Sequence, residues 1–392
     1  MNVELEKKRI LVVDDSALMR RLESDIIASD SRYTVAGCLT NGLEAYDTII
    51  KSPGDYDLML CDINLPKMTG LELLAALRRQ KINIKVIIVS SLAKMDSKET
   101  IQALQLGAFE CVEKPGSFSE LMGEDFKKLL LVKISLATHA EAGEQGLFTK
   151  RILTGPESVK KPVKPEAGYV SPMNAREILA NITVKHKKHV SFPTNAKKLV
   201  LIASSTGGPK ALQDVIPKFP KNLNAPVLLV QHMAEGFTNS LAERLDQKSS
   251  IHVVEAANGE KITKGTVYVA KGGGQMRLKK VSGDYVIDIN MTEPPRSALK
   301  PCADILFESI AGMDFDEIVC CIMTGMGGDG TMGVNALAEK NNLYVIAQDE
   351  ATSTVYGMPK VVYDAGLTDT VKPLDELAQE IIKSTGVQNY GC

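Results

Sequence analysis

Three apolar segments in the second half of the sequence each lead into a residue that can take part in acyl chemistry. LVLIA leads into the SSTGG turn with Ser205, APVLLV into QHM with His232, and EIVCCIM into a glycine loop that ends at Asp329. A serine hydroxyl is a weak nucleophile, so it needs a base, and the base needs a carboxylate that fixes its tautomer. Ser205, His232 and Asp329 are therefore a candidate catalytic triad if the three segments are parallel strands of one sheet.

Glycines surround two of these residues. Gly207 and Gly208 let the chain turn tightly after Ser205 and bring a helix start close to it, where free amides favour an oxyanion. The loop TGMGGDG allows exposed backbone N–H groups, and the Met326 N–H is the predicted oxyanion donor. A simple helix N-cap is the alternative for the SSTGG turn. A dinucleotide-binding turn is disfavoured because GxGxxG is absent.

His232 has two interpretations. A single histidine near a strand is more often a hydrogen-bonded structural residue than a base. The chain has five histidines, however, and His232 is the one that ends a predicted buried strand. This placement favours the catalytic interpretation.

A second group of polar residues follows the apolar segments of the first half of the chain. The first predicted strand is followed by Asp14 and Asp15, the third by Asp62, the fourth by Ser90 and the fifth by Lys114. Three carboxylates at one sheet edge repel one another unless a cation lies between them. All-oxygen ligands without His or Cys are typical of Mg²⁺, which keeps waters that a phosphate can replace. The pattern predicts a magnesium site, and solvated loop acids are the alternative.

Two blocks of alternating strands and helices must position these residues. The first block has five predicted strands alternating with five helical segments, and the second block, from KKLVLIASSTGG onward, shows the same alternation. Continuous apolar strands between helices are typical of parallel sheets covered on both faces, which bind ligands beyond the carboxyl ends of their strands. The predicted fold class is α/β in both blocks.

The segment between the blocks is rich in Lys, Arg and Pro and has few acidic residues. Prolines remove backbone donors and like charges repel, so we predict an extended linker with a brief helix at NAREILANI. The predicted organisation is a first domain at residues 1–130, a linker at residues 131–196 and a second domain at residues 197–386.

The composition excludes several classes of protein. A chain of 392 residues with 44% hydrophobic and 24% charged residues and a net charge of -2 is typical of a two-domain globular protein without a nucleic-acid partner. No apolar stretch is typical of a signal peptide or a membrane span, so we expect a cytoplasmic protein that is not embedded in a membrane. The seven cysteines are scattered, which argues against a zinc site or a disulfide framework.

The first block resembles a known domain. VVDDSALMR, CDINLPKMTG, VIIVSS and FECVEKP are similar to the receiver domain of two-component response regulators, over roughly residues 8 to 130. The resemblance implies a flavodoxin-like (βα)5 fold in which Asp62 accepts a phosphoryl group. It implies that Asp14, Asp15 and Asp62 hold Mg²⁺, and that Ser90 and Lys114 sense the phosphoryl group.

The second block resembles the catalytic domain of the chemotaxis protein-glutamate methylesterases, the CheB family. The similar segments include ASSTGGPKAL, LVQHMAEGFTNSLAERL, KPCADILFESIA and MTGMGGDGTMG. The resemblance implies a doubly wound, mostly parallel α/β esterase domain with Ser205, His232 and Asp329 as its catalytic residues and no cofactor. It implies demethylation of glutamate methyl esters and deamidation of glutamines on methyl-accepting chemoreceptors, activated by a chemotaxis histidine kinase through the receiver.

The second block departs from the family pattern at two positions. Ser204 stands where the family commonly has a small residue without a hydroxyl, so Ser204 is the alternative nucleophile, although the motif spacing favours Ser205. Gln275 stands where relatives often carry a histidine.

Two alternative functions for the chain are a signalling scaffold without esterase activity and a transcriptional response regulator. The second is disfavoured because the second half lacks a short basic helix-turn-helix pattern.

Overall fold

Two parallel sheets carry the two blocks of the sequence. In a computed structural model the chain divides into two units, Met1–Glu144 and Gln145–Cys392. The structure describes residues 7–90, 97–116, 123–138, 175–184, 186, 189–191, 193 and 196–387. Within these residues no helix is long and apolar enough to cross a membrane.

The first unit is built on a five-stranded parallel sheet with the order β2-β1-β3-β4-β5. Its strands are β1 (Lys8–Val13), β2 (Tyr33–Leu39), β3 (Leu58–Cys61), β4 (Lys85–Ser90) and β5 (Glu110–Glu113). Its helices are α1 (Ala17–Ala28), α2 (Gly42–Lys51), α3 (Gly70–Arg79), α4 (Ser97–Gln105) and α5 (Glu124–Thr138). This is the predicted flavodoxin-like order. It places the residues that follow β1 and β3 side by side at the switch point.

The second unit is built on a seven-stranded parallel sheet with the order β14-β13-β12-β6-β7-β9-β8 and a separate antiparallel pair, β10 and β11. Its strands are β6 (Lys198–Ser204), β7 (Val227–Gln231), β8 (His252–Glu255), β9 (Thr266–Val269), β10 (Gln275–Val281), β11 (Asp284–Asn290), β12 (Glu317–Ile322), β13 (Leu343–Gln348) and β14 (Thr370–Lys372). Its helices are α6 (Ala175–Ala180), α7 (Gly208–Val215), α8 (Phe237–Lys248), α9 (Ala303–Ile310), α10 (Thr331–Lys340), α11 (Met358–Asp364) and α12 (Leu374–Thr385). The predicted doubly wound, mostly parallel fold is confirmed.

Strand β6 lies at the centre of the larger sheet, and every residue of it is buried. The chain adds β7 on one side of β6 and returns later to add β12 on the other side. The strand order therefore reverses at β6. The residues that follow β6, β7 and β12 meet at the edge where ligands bind in doubly wound sheets.

The turn after β6 requires glycine at residue 207. Gly207 has a φ of 81°, in the left-handed region that disfavours side chains. A Cβ at this position would also lie 2.4 Å from Cβ of Thr354. The turn can therefore pass close to Thr354 and start α7 only with glycine at this point.

Part of the predicted linker is folded. The brief helix predicted at NAREILANI is α6, in which Ile178 is buried. The Thr183 and Val184 amides donate to Oδ1 of Asn335 in α10, over 3.3 and 3.4 Å. This segment is therefore bound to the second unit. Residues 139–174 of the predicted linker lie outside the described residues, and α5 continues past residue 130 to Thr138.

A buried ion pair lies at the amino ends of β6 and β12. The Lys198 ammonium is 2.8 Å from Oε2 of Glu317, and both side chains are almost fully buried. Oε1 of Glu317 accepts a hydrogen bond of 2.9 Å from the Ser384 hydroxyl of α12. These contacts join the central strands to the last helix.

Lys198→Met should lower the free energy of unfolding of the second unit by about 3–5 kcal/mol, because it leaves the Glu317 carboxylate buried without its cation. The matched control is Lys261→Met, which removes an exposed pair with Asp284 and should cost less than about 1 kcal/mol. Urea unfolding of both full-length variants measures the two losses. Equal losses would contradict the importance of the buried pair.

Candidate functional site

The serine and the histidine predicted from the sequence lie side by side at the switch point of the larger sheet. Ser204 and Gln231 are paired across β6 and β7, so Ser205 and His232 are the next residues beyond paired positions. The His232 N–H donates to the Ser204 carbonyl over 3.1 Å. On the other side of β6, the Ser205 N–H donates to the carbonyl of Thr324, in the loop after β12, over 3.0 Å.

The two adjacent serines differ in availability. Ser204 is completely buried, and its hydroxyl donates to Oε1 of Gln231 over 2.7 Å. Ser205 is half-buried, and its hydroxyl has no hydrogen-bond partner within the described part of the chain. A Cβ on Gly325 would lie 2.8 Å from Cβ of Ser205, so the glycine loop packs directly against this serine. These contacts favour Ser205 as the reactive hydroxyl.

His232 and Asp329 form a direct contact. Nε2 of His232 lies 2.7 Å from Oδ2 of Asp329. An ionised carboxylate can only accept hydrogen bonds, so Nε2 carries a proton and Nδ1 of the neutral ring is an acceptor. Nδ1 is buried and has no partner among the described residues. No hydrogen bond joins Ser205 Oγ to His232 in this part of the chain, so the structure brings together the histidine and the aspartate more tightly than the histidine and the serine.

The amino end of α9 holds the Asp329 carboxylate. The Ala303 amide donates to Oδ2 over 2.6 Å, and the Asp304 amide donates to Oδ1 over 2.9 Å. Burial by itself raises the pKa of Asp329, but the hydrogen bond from His232 and these two amides lower it well below its usual value. The start of a helix also favours negative charge. Asp329 is therefore ionised at neutral pH.

Asp304 returns the same contact to the next helix. Its Oδ1 accepts hydrogen bonds from the amides of Gly330 and Gly333, at the start of α10, over 2.9 and 2.8 Å. Burial and the charge of Asp329 raise the pKa of Asp304. The amides at the start of α9 thus bind Asp329, which lies just before α10, and the amides at the start of α10 bind Asp304 of α9. These reciprocal contacts fix Asp329 in the site.

The predicted oxyanion donor lies in a loop that is fixed on both sides. The Gly325 amide donates to the Val355 carbonyl over 3.0 Å, and the Gly325 carbonyl accepts from the Gly357 and Met358 amides. The Met326 N–H has no acceptor among the described residues. This amide directly follows Gly325, which packs on Ser205, and the role of Met326 as oxyanion donor stays a prediction.

The acidic residues of the first unit converge on a lysine. Asp14, Asp15 and Asp62 each place an oxygen within 4.8 Å of the others. The Lys114 ammonium lies 2.6 Å from Oδ2 of Asp14 and 2.5 Å from Oδ2 of Asp62. Burial raises the pKa of Asp14 despite the contact with this lysine. Burial by itself lowers the pKa of Lys114, but the Asp14 and Asp62 carboxylates raise it by more, so the net change is an increase. The lysine compensates the repulsion that the sequence predicts for these carboxylates.

Ser90 reaches the same edge as the last residue of β4. Its carbonyl accepts a hydrogen bond from the Lys114 amide over 2.8 Å. Its hydroxyl is buried and has no partner among the described residues. A buried hydroxyl without a partner loses its hydration without compensation, so this group is available to a polar ligand.

Two family models match parts of this chain. Residues 200–381 match the family model described as CheB methylesterase, and residues 10–124 match the response regulator receiver domain. A protein of Syntrophomonas wolfei named protein-glutamate methylesterase/protein-glutamine glutaminase 1 is 38% identical over 96% of this chain and 99% of its own length. The chain belongs to the protein-glutamate methylesterase/protein-glutamine glutaminase family.

A second relative and one solved structure are also similar to this chain. The protein-glutamate methylesterase/protein-glutamine glutaminase of Bacillus subtilis is 38% identical over 95% of this chain and 97% of its own length. The Thermotoga maritima CheB methylesterase catalytic domain is 38% identical, covers 48% of this chain and 98% of its own, and has a TM-score of 0.46. Membership of a methylesterase family along nearly the whole chain disfavours both the transcriptional regulator and the inactive scaffold.

Two glutamines support this candidate site, and the sequence analysis assigned neither of them this role. The side-chain amide of Gln231 donates to the carbonyls of Ser205 and His232 and so joins the two strand ends. Gln275 is completely buried; it accepts from the Cys302 amide over 3.0 Å and donates to the Leu299 carbonyl over 2.9 Å. Gln275 therefore holds the chain that leads into α9. The Gln of the Gln-His-Met motif was the available sequence signal for Gln231.

Cys302 and Glu23 are two further buried groups that the sequence analysis missed. The Cys302 thiol donates to Oδ1 of Asp329 over 3.1 Å, and burial together with the charges of Asp329 and Asp304 raises its pKa, which keeps it protonated. Glu23 of α1 is buried, and burial followed by the charge of Asp14 raises its pKa. An acidic residue on the buried face of α1 was a sequence signal for Glu23.

Asp329→Asn should reduce the free energy of unfolding at pH 7 by about 1–3 kcal/mol, because an amide cannot satisfy all the donors that the carboxylate satisfies. The pKa of Asp329 is lowered by folding. Its stabilisation is therefore present above the unfolded value of about 3.9 and is lost as the pH falls through the lower folded value. The difference between parent and variant should shrink below about pH 4.

Urea unfolding of the full-length proteins between neutral and acidic pH measures this difference. Asp284→Asn, which removes an exposed carboxylate of the same unit, is the control and should show little difference at any pH. A difference for Asp329→Asn that stays constant with pH would show that its charge does not contribute to stability.

Proposed function

We propose that this chain demethylates glutamate methyl esters and deamidates glutamines on methyl-accepting chemoreceptors, and that phosphorylation of Asp62 activates it. The observation that carries the proposal is the meeting of Ser205, His232 and Asp329 at the switch point of the esterase sheet. Relatives that match nearly the whole chain carry both activities in their names. The proposed site of action is the cytoplasm, on the receptor helices that carry the esters.

Acylation is proposed to begin at Ser205. Its Oγ attacks the γ-carbonyl carbon of a receptor glutamate ester while Nδ1 of His232, which is buried and has no partner among the described residues, takes the hydroxyl proton. Asp329 holds the proton on Nε2 and stabilises the positively charged ring. Negative charge develops on the carbonyl oxygen, where the Met326 N–H is the proposed donor.

The protonated ring then completes both reactions. His232 donates its Nδ1 proton to the methoxy oxygen of an ester or to the amide nitrogen of a glutamine as the bond from that atom to the carbonyl carbon breaks, and the group leaves as methanol or ammonia. Ser205 is left joined to the receptor glutamate as an acyl-enzyme. His232 next takes a proton from water, the hydroxide attacks the acyl carbon, and the Ser205 oxygen leaves with that proton. The products are a free receptor glutamate and the original serine.

The receiver is proposed to take its phosphoryl group from a chemotaxis histidine kinase. Asp62 is the nucleophile, and Asp14, Asp15 and Asp62 are the residues that would hold Mg²⁺, because their oxygens lie within 4.8 Å of one another. When bound, the ion supplies positive charge to the phosphoryl oxygens. Lys114, already in contact with Asp62, is the proposed partner of a phosphoryl oxygen. The Ser90 hydroxyl, which has no partner within the described part of the chain, is a proposed donor to another.

Ser205→Ala should reduce methanol release from methylated receptor membranes by about 10⁴-fold or more, because it removes the attacking oxygen. Ser204→Ala is the matched control. It leaves Oε1 of Gln231 without its donor, so we expect a lower stability, by about 1–3 kcal/mol, with a rate close to that of the parent. Initial rates and thermal midpoints of both variants decide the assignment. An inactive Ser204 variant beside an active Ser205 variant would reverse it.

Asp62→Asn should abolish the increase in esterase rate that a small phosphodonor with Mg²⁺ produces, because the amide is not a phosphoryl acceptor. Its rate without the phosphodonor should equal that of the parent. Methanol release is measured for parent and variant with and without the phosphodonor. Stimulation that persists in Asp62→Asn would place the phosphoryl group on another residue.

A further inference from the structure

The end of the predicted linker forms a strap on the esterase unit. We define the strap as residues 175–184, 186, 189 and 190. It runs from the loop that carries Asp329, at the carboxyl edge of the sheet, to the amino end of β12, where Nε2 of His189 lies 2.8 Å from Oε1 of Glu317. The described residues of the strap therefore contact the second unit at both the carboxyl end and the amino end of β12.

The upper end of the strap touches the residue that precedes Asp329. Ile178 of α6 is 4% exposed. A Cβ built on Gly328 would lie 2.6 Å from Cδ1 of Ile178 and 2.9 Å from Cγ1 of Val361 in α11. Gly328 is not among the glycines with positive φ, so its backbone conformation does not require glycine. The absence of a side chain at Gly328 instead provides the space that Ile178 and Val361 fill.

The lower part of the strap is fixed by polar contacts. The Thr183 hydroxyl donates to Oε1 of Glu339 in α10 over 3.1 Å. Nε2 of His186 lies 2.8 Å from Oδ2 of Asp369, and the Asn342 side chain donates to the Val190 carbonyl over 2.9 Å. These contacts tie the strap to α10 and to the loops before β13 and β14. The contacts of Thr183, His186 and Val190 therefore keep Ile178 in the position in which it packs on Gly328.

Asp329 is thus held from two directions. The α9 amides and the Cys302 thiol hold its carboxylate. Ile178 and Val361 pack against the backbone directly before it, at Gly328. The same backbone continues through the glycine loop to Met326. A movement of the strap at Ile178 would therefore displace both the partner of His232 and the proposed oxyanion donor.

We propose that Ile178 is a positioning residue for the esterase reaction, and that the strap keeps the Gly328 and Asp329 backbone in its reactive arrangement. The proposal rests on the proposed function, because it takes Asp329 as the partner of the catalytic base. Ile178 does not touch the reacting atoms. It acts through the packing of Gly328, and a small displacement of catalytic groups costs about 10²-fold in rate. The segment that joins the two units in sequence is thereby part of the support of the active site.

The test compares three full-length variants. Ile178→Ala removes the contact with Gly328, and Ile178→Val retains most of it. Ile251→Ala makes the same truncation at a residue that is 1% exposed and precedes β8, the edge strand far from β12 in the strand order. Initial rates of methanol release give kcat and KM, and thermal midpoints give the loss of stability of each variant.

We expect Ile178→Ala to lower kcat by about 10-fold to 100-fold with KM within about 2-fold of the parent, at a temperature where the protein is folded. Ile178→Val should retain most of the kcat of the parent. Ile251→Ala should lose stability but keep its kcat. Equal kcat losses in Ile178→Ala and Ile251→Ala, a parent-like kcat in Ile178→Ala, or an effect on KM alone would each overturn the proposal.

A second measurement separates this proposal from the proposed substrate. A fluorophosphonate probe labels reactive serines whatever ester the protein hydrolyses, so the labelling rate of Ser205 reports on the site itself. Slower labelling of Ile178→Ala than of Ile251→Ala would support the strap even if the parent released no methanol from receptors. The missing methanol release would then contradict only the assigned substrate. A parent that neither releases methanol nor labels would overturn the catalytic assignment and the strap together.

Discussion

The negative charge of Asp329 is buried inside the esterase unit, and a buried charge is stable only where donors and opposite charge surround it. The donors come from segments far apart in sequence: His232 after β7 and the amides of Ala303 and Asp304 at the start of α9. Asp304 in turn binds the start of α10. Satisfying one carboxylate thus requires that a strand end and two helix starts meet, and this requirement organises the edge of the sheet where Ser205 lies.

The receiver solves a similar electrostatic problem with a different donor. Its carboxylates at Asp14 and Asp62 are compensated by the ammonium group of Lys114, at the end of a long side chain. Backbone amides at a helix start are fixed, whereas a lysine side chain can change partner without moving the backbone. Fixed donors suit the proposed role of Asp329, which requires its carboxylate to stay in one place. An exchangeable cation suits the proposed phosphorylation of Asp62, which would change the charge of that side chain.

Glycine and apolar contacts set the remaining geometry of the esterase site. Gly325 allows its loop to pack on Ser205, and Gly328 leaves space for Ile178 and Val361. Such contacts add little charge or hydrogen bonding, but close packing transmits displacement because protein interiors have few voids. The glycine loop is therefore placed by hydrogen bonds near Gly325 and by apolar packing at Gly328.

Much of this protein could be predicted from its sequence. Continuous apolar strands alternating with helices predict parallel α/β sheets, and the residues that follow such strands share one edge whatever their separation in the chain. This geometric rule is sufficient to bring Ser205, His232 and Asp329 to one region, and to do the same for Asp14, Asp62 and Lys114. The motifs around these residues were sufficient to identify the family.

Other features were decided only by the tertiary structure. Nothing in the local sequence specifies that His232 faces Asp329 through Nε2, that Gln231 engages the Ser204 hydroxyl, or that Cys302 donates to Asp329. A basic, proline-containing segment predicts a linker, but the packing of Ile178 against Gly328 depends on residues about 150 positions apart. Local patterns predict which elements form and where they end. Side-chain partners are selected by the contacts that folding creates between distant elements, because each buried polar group or apolar surface takes whichever partner the completed fold places within reach.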